Sequence, residues 1–151
     1  MIEPTIITWI LLIFGWIFIL LLAFIAQIQV IIRPDNQKTK NLVIGKGEDY
    51  RDKTHRRMTS GIAWGDMIVW FPLILFGSIG VIFGQEWGYA LWLASGAISI
   101  YINIMFWFSE REYVYPSSGP FVYYTIYWGF FIYWGIAVII YVILRLSGIN
   151  F

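Results

Sequence analysis

The chain has 151 residues, of which 60% are hydrophobic, 21% aromatic and 13% charged. Soluble domains carry about 25% charged residues, so this composition excludes an ordinary soluble domain and points to a bilayer as the natural solvent. The net charge is only +1, yet eight of the ten Lys and Arg fall between Arg33 and Arg57. The absence of cysteine excludes disulfides, thiolate-ligated metal, a Cys nucleophile and Cys acylation. The single histidine, His55, excludes a bis-His haem within one chain.

The first apolar segment runs from Thr5 to Ile32. At 1.5 Å per residue it spans about 42 Å against roughly 30 Å of hydrocarbon, so it tilts or projects beyond the bilayer. It follows Met-Ile-Glu-Pro-Thr, with no basic n-region and no small-residue cleavage pattern. It therefore reads as a retained transmembrane helix rather than a signal. Gln27 and Gln29 mark its inner end, and Arg33-Pro34-Asp35 stops it.

The loop from Arg33 to Ser60 is the one substantial polar region, and the positive-inside rule makes it cytoplasmic. Its apolar patch Leu42-Val43-Ile44 is expected on the membrane surface, and Gly45-Lys46-Gly47 breaks any helix there. From Glu48 onward the residues favour helix. Glu48 and Asp49 would sit at its start and Arg56 and Arg57 nearer its end, as a helix dipole prefers. Ser60-Gly61 is a candidate break before the second segment.

That segment runs from Ile62 to Gly84, with Pro72 near its middle predicting a kink. Gly77, Gly80 and Gly84 are expected to pack it closely on a neighbour. A turn at Gly84-Gln85-Glu86 leads into the third segment, Trp87 to Phe108. There Ala90, Ala94 and Ala97 form a small-residue face, and Ser95, Ser99 and Asn103 a polar line elsewhere on the surface. The charged exit Ser109-Glu110-Arg111-Glu112 and the turn residues Pro116-Ser-Ser-Gly-Pro120 precede the fourth segment, Phe121 to Leu146. Tyr123, Tyr127, Phe130, Trp134 and Tyr141 recur along it at helical spacing. Their plain role is bundle packing and lipid exposure; the sharper one is a pocket for a lipid, a quinone or an organic cation. Trp9, Trp87 and Trp107 near segment ends suit interfacial belts.

The fold expected is an all-α integral membrane protein, residues 1–151 forming one membrane domain. Four transmembrane helices form an up-down bundle, with both termini on the outer side and the basic loop inside the cell membrane. Helices are the option open to segments of this length, because backbone groups in hydrocarbon must pair internally.

Asp66 is the one acid inside an apolar run. Counting 18 residues back from Gly84 puts it about 27 Å from the outer turn, near the cytoplasmic boundary. The same count down the third segment reaches the level of Asn103, and Glu110 shares the face of Asn103 seven residues on. Asp66, Asn103 and Glu110 are thus expected to form a polar pocket at the cytoplasmic end. If the polar helix is continuous through Gly61, Asp52, His55, Thr59 and Asp66 fall on one stripe flanked by Arg56 and Arg57, and His55 and Arg56 join the expected pocket. The bland alternative is an orientation anchor or ion pair to these arginines. Asp49-x-x-Asp52-x-x-His55 has ligating side chains at a spacing that arises in any charged helix, so no metal and no cofactor is expected. The G-x-x-x-x-G-K-[ST] phosphate loop is absent.

Three functions follow from these residues. The first is a non-enzymatic accessory or binding subunit of a membrane assembly, a homo- or hetero-oligomer whose basic loop meets anionic lipid or an acidic protein. The second is a small transporter or channel component using the pocket. The last is an enzyme on lipid headgroups, with Glu110, Glu112, Asp66, His55 and Arg111 as acid, base and cation. No nucleic-acid partner is expected.

Overall fold

The computed structural model describes residues 2–111 and 119–150, excepting the side chain of Tyr127. Glu112, residues 116–118 of the expected turn and the Tyr127 side chain lie outside the described residues. Four helices are long and apolar enough to cross a membrane: α1 (Ile6–Ile32), α3 (Lys53–Ile82), α4 (Glu86–Ser109) and α5 (Gly119–Leu146). A short helix, α2 (Gln37–Val43), lies in the connection between α1 and α3. Among the described residues there is no strand.

The helices alternate in direction. At one end, the terminal end, the Ile2 N–H bonds the Gly84 carbonyl (2.8 Å) and Arg145 Nη2 bonds the Glu3 carbonyl (2.5 Å). The other end, the loop end, carries α2 and the exit of α4. Large apolar side chains cover the outside: Ile6, Ile68, Phe83, Tyr101 and Phe108 are among the most exposed. A surface of this kind calls for an apolar surrounding.

Each helix starts and stops for a local reason. Thr5 caps α1 in a capping box with Thr8, so the Thr5 and Thr8 N–H groups are satisfied by each other's hydroxyls. Asp52 caps α3, its carboxylate accepting the His55 N–H (2.8 Å). The helix therefore begins at Lys53, beyond the apolar run, and passes Gly61 without a break. Glu48 and Asp49 lie outside it: Asp49 is drawn to Lys40 Nζ (2.7 Å) instead. That ion pair and the Tyr50 N–H hold the Asp49 carboxyl below its usual range. Pro72 is absorbed by a π-helical stretch, Asp66–Trp70, just before it. The wider turn spreads over five residues the loss of a donor at Pro72. Gly15–Leu21 and Tyr123–Tyr127 are π-helical as well.

Packing centres on α4, which lies against α3 on one side and α5 on the other. A Cβ on Gly77 would come within 2.7 Å of the Trp92 ring, and one on Gly80 within 2.5 Å of the Gly88 Cα. Gly84 does a different job. Its φ of 65° ends α3, with the Gln85 N–H on the Gly80 carbonyl (2.8 Å) and the Gly84 N–H on that of Val81 (3.0 Å). This is a Schellman cap, which favours glycine because the left-handed region penalises a Cβ. Gly77 and Gly80 thus make the close helix contact, Gly80 against Gly88, while Gly84, expected to pack with them, serves as the cap. The small-residue face expected on α4 is also displaced: Ala90, Ala94 and Ala97 are exposed, whereas Gly88, Ser95, Gly96, Ser99 and Asn103 are buried. On the far side, Gly96 and Gly135 let the α4 and α5 backbones meet, each blocking the other's Cβ with its carbonyl oxygen.

Hydrogen bonds tie the helices where apolar packing alone gives no direction. Ser78 Oγ accepts from the indoles of Trp16 (3.0 Å) and Trp92 (3.1 Å), joining α1, α3 and α4. Trp70 donates to the Ser95 carbonyl (3.0 Å), Ser99 to that of Phe131 (2.9 Å) and Trp134 to that of Leu11 (3.2 Å). At the terminal end, Thr8 Oγ1 and the Tyr141 hydroxyl share a short hydrogen bond.

Candidate binding pocket at the loop end

The expected pocket residues meet in one place. Asp66, Asn103, Glu110 and His55 all line a cavity of about 380 Å3 that also takes wall from α1, α2 and α5. A volume near the lower end of the usual ligand-pocket range suits a small ligand or a head group. Arg56 is not there. It is exposed and forms a bidentate pair with Asp35 (2.8 and 2.6 Å), because it leaves α3 on the solvent side of the first turn.

Asp66 opens the π-helical stretch and is 6% exposed. Its Oδ2 accepts from Gln27 Nε2 on α1 (2.7 Å). Among the described residues it has no ion pair with Arg56, Arg57 or Arg111. In place of the expected ion pair, Asp66 makes a neutral amide contact inside the bundle. In the sequence Gln27 stands out only as a polar residue near the inner end of the first apolar run; its level with Asp66 is the signal for this contact.

Glu110 is 5% exposed at the end of α4. One oxygen, Oε1, faces His55 Nε2 (3.3 Å) and Arg51 Nη2 (3.5 Å). His55 Nδ1 accepts the Arg51 N–H (3.1 Å), so a neutral His55 carries its proton on Nε2, toward Glu110. The cap by Asp52 places His55 in the first turn of α3, and the Tyr50 ring edge packs on it at 5.6 Å. That same capping bond holds the Asp52 carboxyl below its usual range. The other oxygen, Glu110 Oε2, is buried and has no hydrogen-bond partner among the described residues. Asn103 is 3% exposed and donates to the Ser99 carbonyl (2.7 Å).

The rest of the wall is apolar, part aliphatic (Leu22, Ala26, Ile62 and Ile102 among others) and part aromatic (Trp70, Phe106, Trp128, Phe130 and Phe131). Trp128 stacks on Phe106 with ring centroids 4.7 Å apart. Of the stripe read on the fourth segment, Phe130 reaches the cavity, while Tyr123, Trp134 and Tyr141 are buried in the bundle. Helix α2 contributes Asn41, Leu42 and Val43. The expected surface patch thus turns partly inward, with Ile44 fully buried. The Asn41 side chain holds α2 to its following turn through the Gly47 N–H (3.0 Å).

No protein-family model, curated protein or solved structure matches this chain. What the site does must be argued from its chemistry. Among the described residues, no three His, Asp or Glu side chains stand together to hold a metal ion. Asp49, Asp52 and His55 serve instead a lysine, a helix cap and Glu110.

Proposed function

We propose that this chain is a non-enzymatic, multi-pass membrane protein that binds a small amphiphile in the pocket at the loop end. The observation that carries the reading is the convergence of five helices on one cavity with a largely apolar wall and a few polar groups. Ligand sites in helix bundles have this composition. The exposed basic residues around the loop end, among them Arg33, Lys38, Lys46 and Arg57, support a cytoplasmic placement of that end. Both termini then lie outside. The same basic collar suits anionic lipid or an acidic partner protein, in keeping with a subunit of a larger membrane assembly.

The test is a titration of the protein in phosphatidylcholine nanodiscs with octanol, octylammonium and octyl sulfate, followed by tryptophan fluorescence against empty discs. At least one ligand saturates the wild-type chain, and Ala26→Phe, which fills the cavity wall on α1, weakens it by about tenfold or more, or roughly 1.4 kcal/mol. If none of the three saturates, or Ala26→Phe binds like wild type, the reading fails.

A further inference from the structure

Glu110, at the loop end of the cavity, has a bonding demand that its neighbours leave unmet. Its Oε1 faces His55 Nε2 (3.3 Å) and Arg51 Nη2 (3.5 Å). Its Oε2 is a buried acceptor with no donor among the described residues. Leaving such an atom unmatched is costly, so a ligand that donates to it gains a bond without breaking one. Glu110 lines the cavity, and the soft last torsion of a Glu side chain lets the carboxyl turn Oε2 toward a donor there. Its charge, by contrast, is already matched by Arg51. A cationic head group would stand beside Arg51 and an anionic one beside Glu110, each a like-charge contact. A neutral hydroxyl brings the donor without either.

The shape of the site fits the same ligand. Asp66 follows His55 by eleven residues on α3, about 16 Å further into the bundle, so it does not share this head group. Asp66 and Asn103 already bond Gln27 and the Ser99 carbonyl. From Glu110 inward the wall turns apolar: Phe106, one turn back on α4 and stacked on Trp128, then Ile62 and Ile102. The order is a polar group at the helix ends and apolar wall inside the bundle, the order in which an amphiphile enters a bilayer.

We propose that the pocket holds a neutral, hydroxyl-headed amphiphile, its O–H donating to Glu110 and its chain lying along the apolar wall toward Asp66. This rests on the binding role proposed above and names the ligand class. The same hydroxyl chemistry comes from a free long-chain alcohol or from a monoacylglycerol lipid.

The test compares octanol with octyl methyl ether, which keeps the chain and the oxygen but has no donor. Both are titrated in phosphatidylcholine nanodiscs and corrected for partition into empty discs. Octanol is expected to bind the wild-type chain about tenfold tighter than the ether. Glu110→Met should bring the two affinities together. Equal affinities in wild type would overturn the head-group assignment and leave the binding role standing; saturation by none of the octyl ligands would remove both. Loss of the preference in Asp66→Asn but not in Glu110→Met would place the head group at Asp66 and overturn the assignment. So would octylammonium binding tighter than octanol by a margin that Asp66→Asn does not remove. The wild-type comparison needs no variant, so it decides the matter even where Glu110→Met does not fold. Adding monooleoylglycerol to the discs separates the sources: competition with octanol assigns the site to the lipid, and an unchanged octanol affinity assigns it to a free alcohol.

Discussion

A methyl group on Gly88 should loosen the central pair of helices. An ideal Cβ there lies 2.4 Å from the Gly80 carbonyl carbon and from the Val81 nitrogen, where ordinary contact begins at 3.4 Å. Both neighbours are backbone, so no side chain can rotate away. The α3 and α4 axes must part by about 1 Å at this point, the difference between those two distances. A gap of 0.5–1 Å forfeits roughly a quarter to a half of each dispersion contact along the seam. The neighbouring pair Gly77–Trp92 shares that seam, as does the Ser78–Trp92 hydrogen bond. Overpacking of this kind costs about 3 kcal/mol. Thermal unfolding in a mild detergent would show Gly88→Ala several degrees below wild type. Gly61→Ala is the control: it sits in α3 with nothing within 4 Å of its Cβ, so helix propensity alone acts and stability holds or rises by up to about 1 kcal/mol. If Gly88→Ala unfolds with wild type, the glycine seam does not set the distance between these helices.

Other consequences follow from single contacts. Ser78→Ala removes the acceptor of two indoles and should destabilise by about 1–3 kcal/mol in the same unfolding assay, with Trp16→Phe recovering part of the loss. Gln27→Leu takes the donor from Asp66 and should cost about 1–3 kcal/mol. Combined with Asp66→Leu, most of that cost should vanish, and simple additivity in the double-mutant cycle would contradict a direct coupling. The Asp52 cap and the Asp49–Lys40 pair carry pH dependence. Both carboxyls titrate lower in the folded chain than in the unfolded one, so their stabilisation is complete above the ordinary carboxylate range and is lost as pH falls through about 4 and below. Protection factors of the amides at the start of α3, referred to the intrinsic exchange rate at each pH, should fall over that window in wild type and stay constant there in Asp52→Ala.

Much of the architecture is legible in the sequence because long, nearly unbroken apolar runs leave few options. Each long apolar run becomes a helix, and short turns alternate their directions. Hydropathy marks where a helix is apolar, not where it starts, so the polar first turns of α3, fixed by the Asp52 cap, lie outside the run. Counting down a hairpin brings Asp66 level with Asn103, with Glu110 two turns further along the same face, since rise per residue is nearly constant. The identity of the facing glycine was not legible in that way. Gly80 meets Gly88 because the rotation of α4 about its axis is set by Ser95, Ser99 and Trp92 finding partners, which turns the alanines outward. Likewise the Asp66–Gln27 contact joins helices 39 residues apart in sequence, a separation that no local pattern spans. Arg56 shares a helix turn with His55 but points to Asp35, because neighbouring positions on a helix lie about 100° apart.

The binding role can be tested at the cavity wall itself. The native chain has no cysteine, so Thr59→Cys places one thiol on a position that lines the cavity beside His55 and Asp66. Its reaction with N-ethylmaleimide in nanodiscs should slow by about tenfold or more when a saturating octyl ligand without a primary amine, octanol or octyl sulfate, is present, while a surface thiol from Lys46→Cys reacts at an unchanged rate. Equal labelling of Thr59→Cys with and without the ligand would show that the cavity does not hold it.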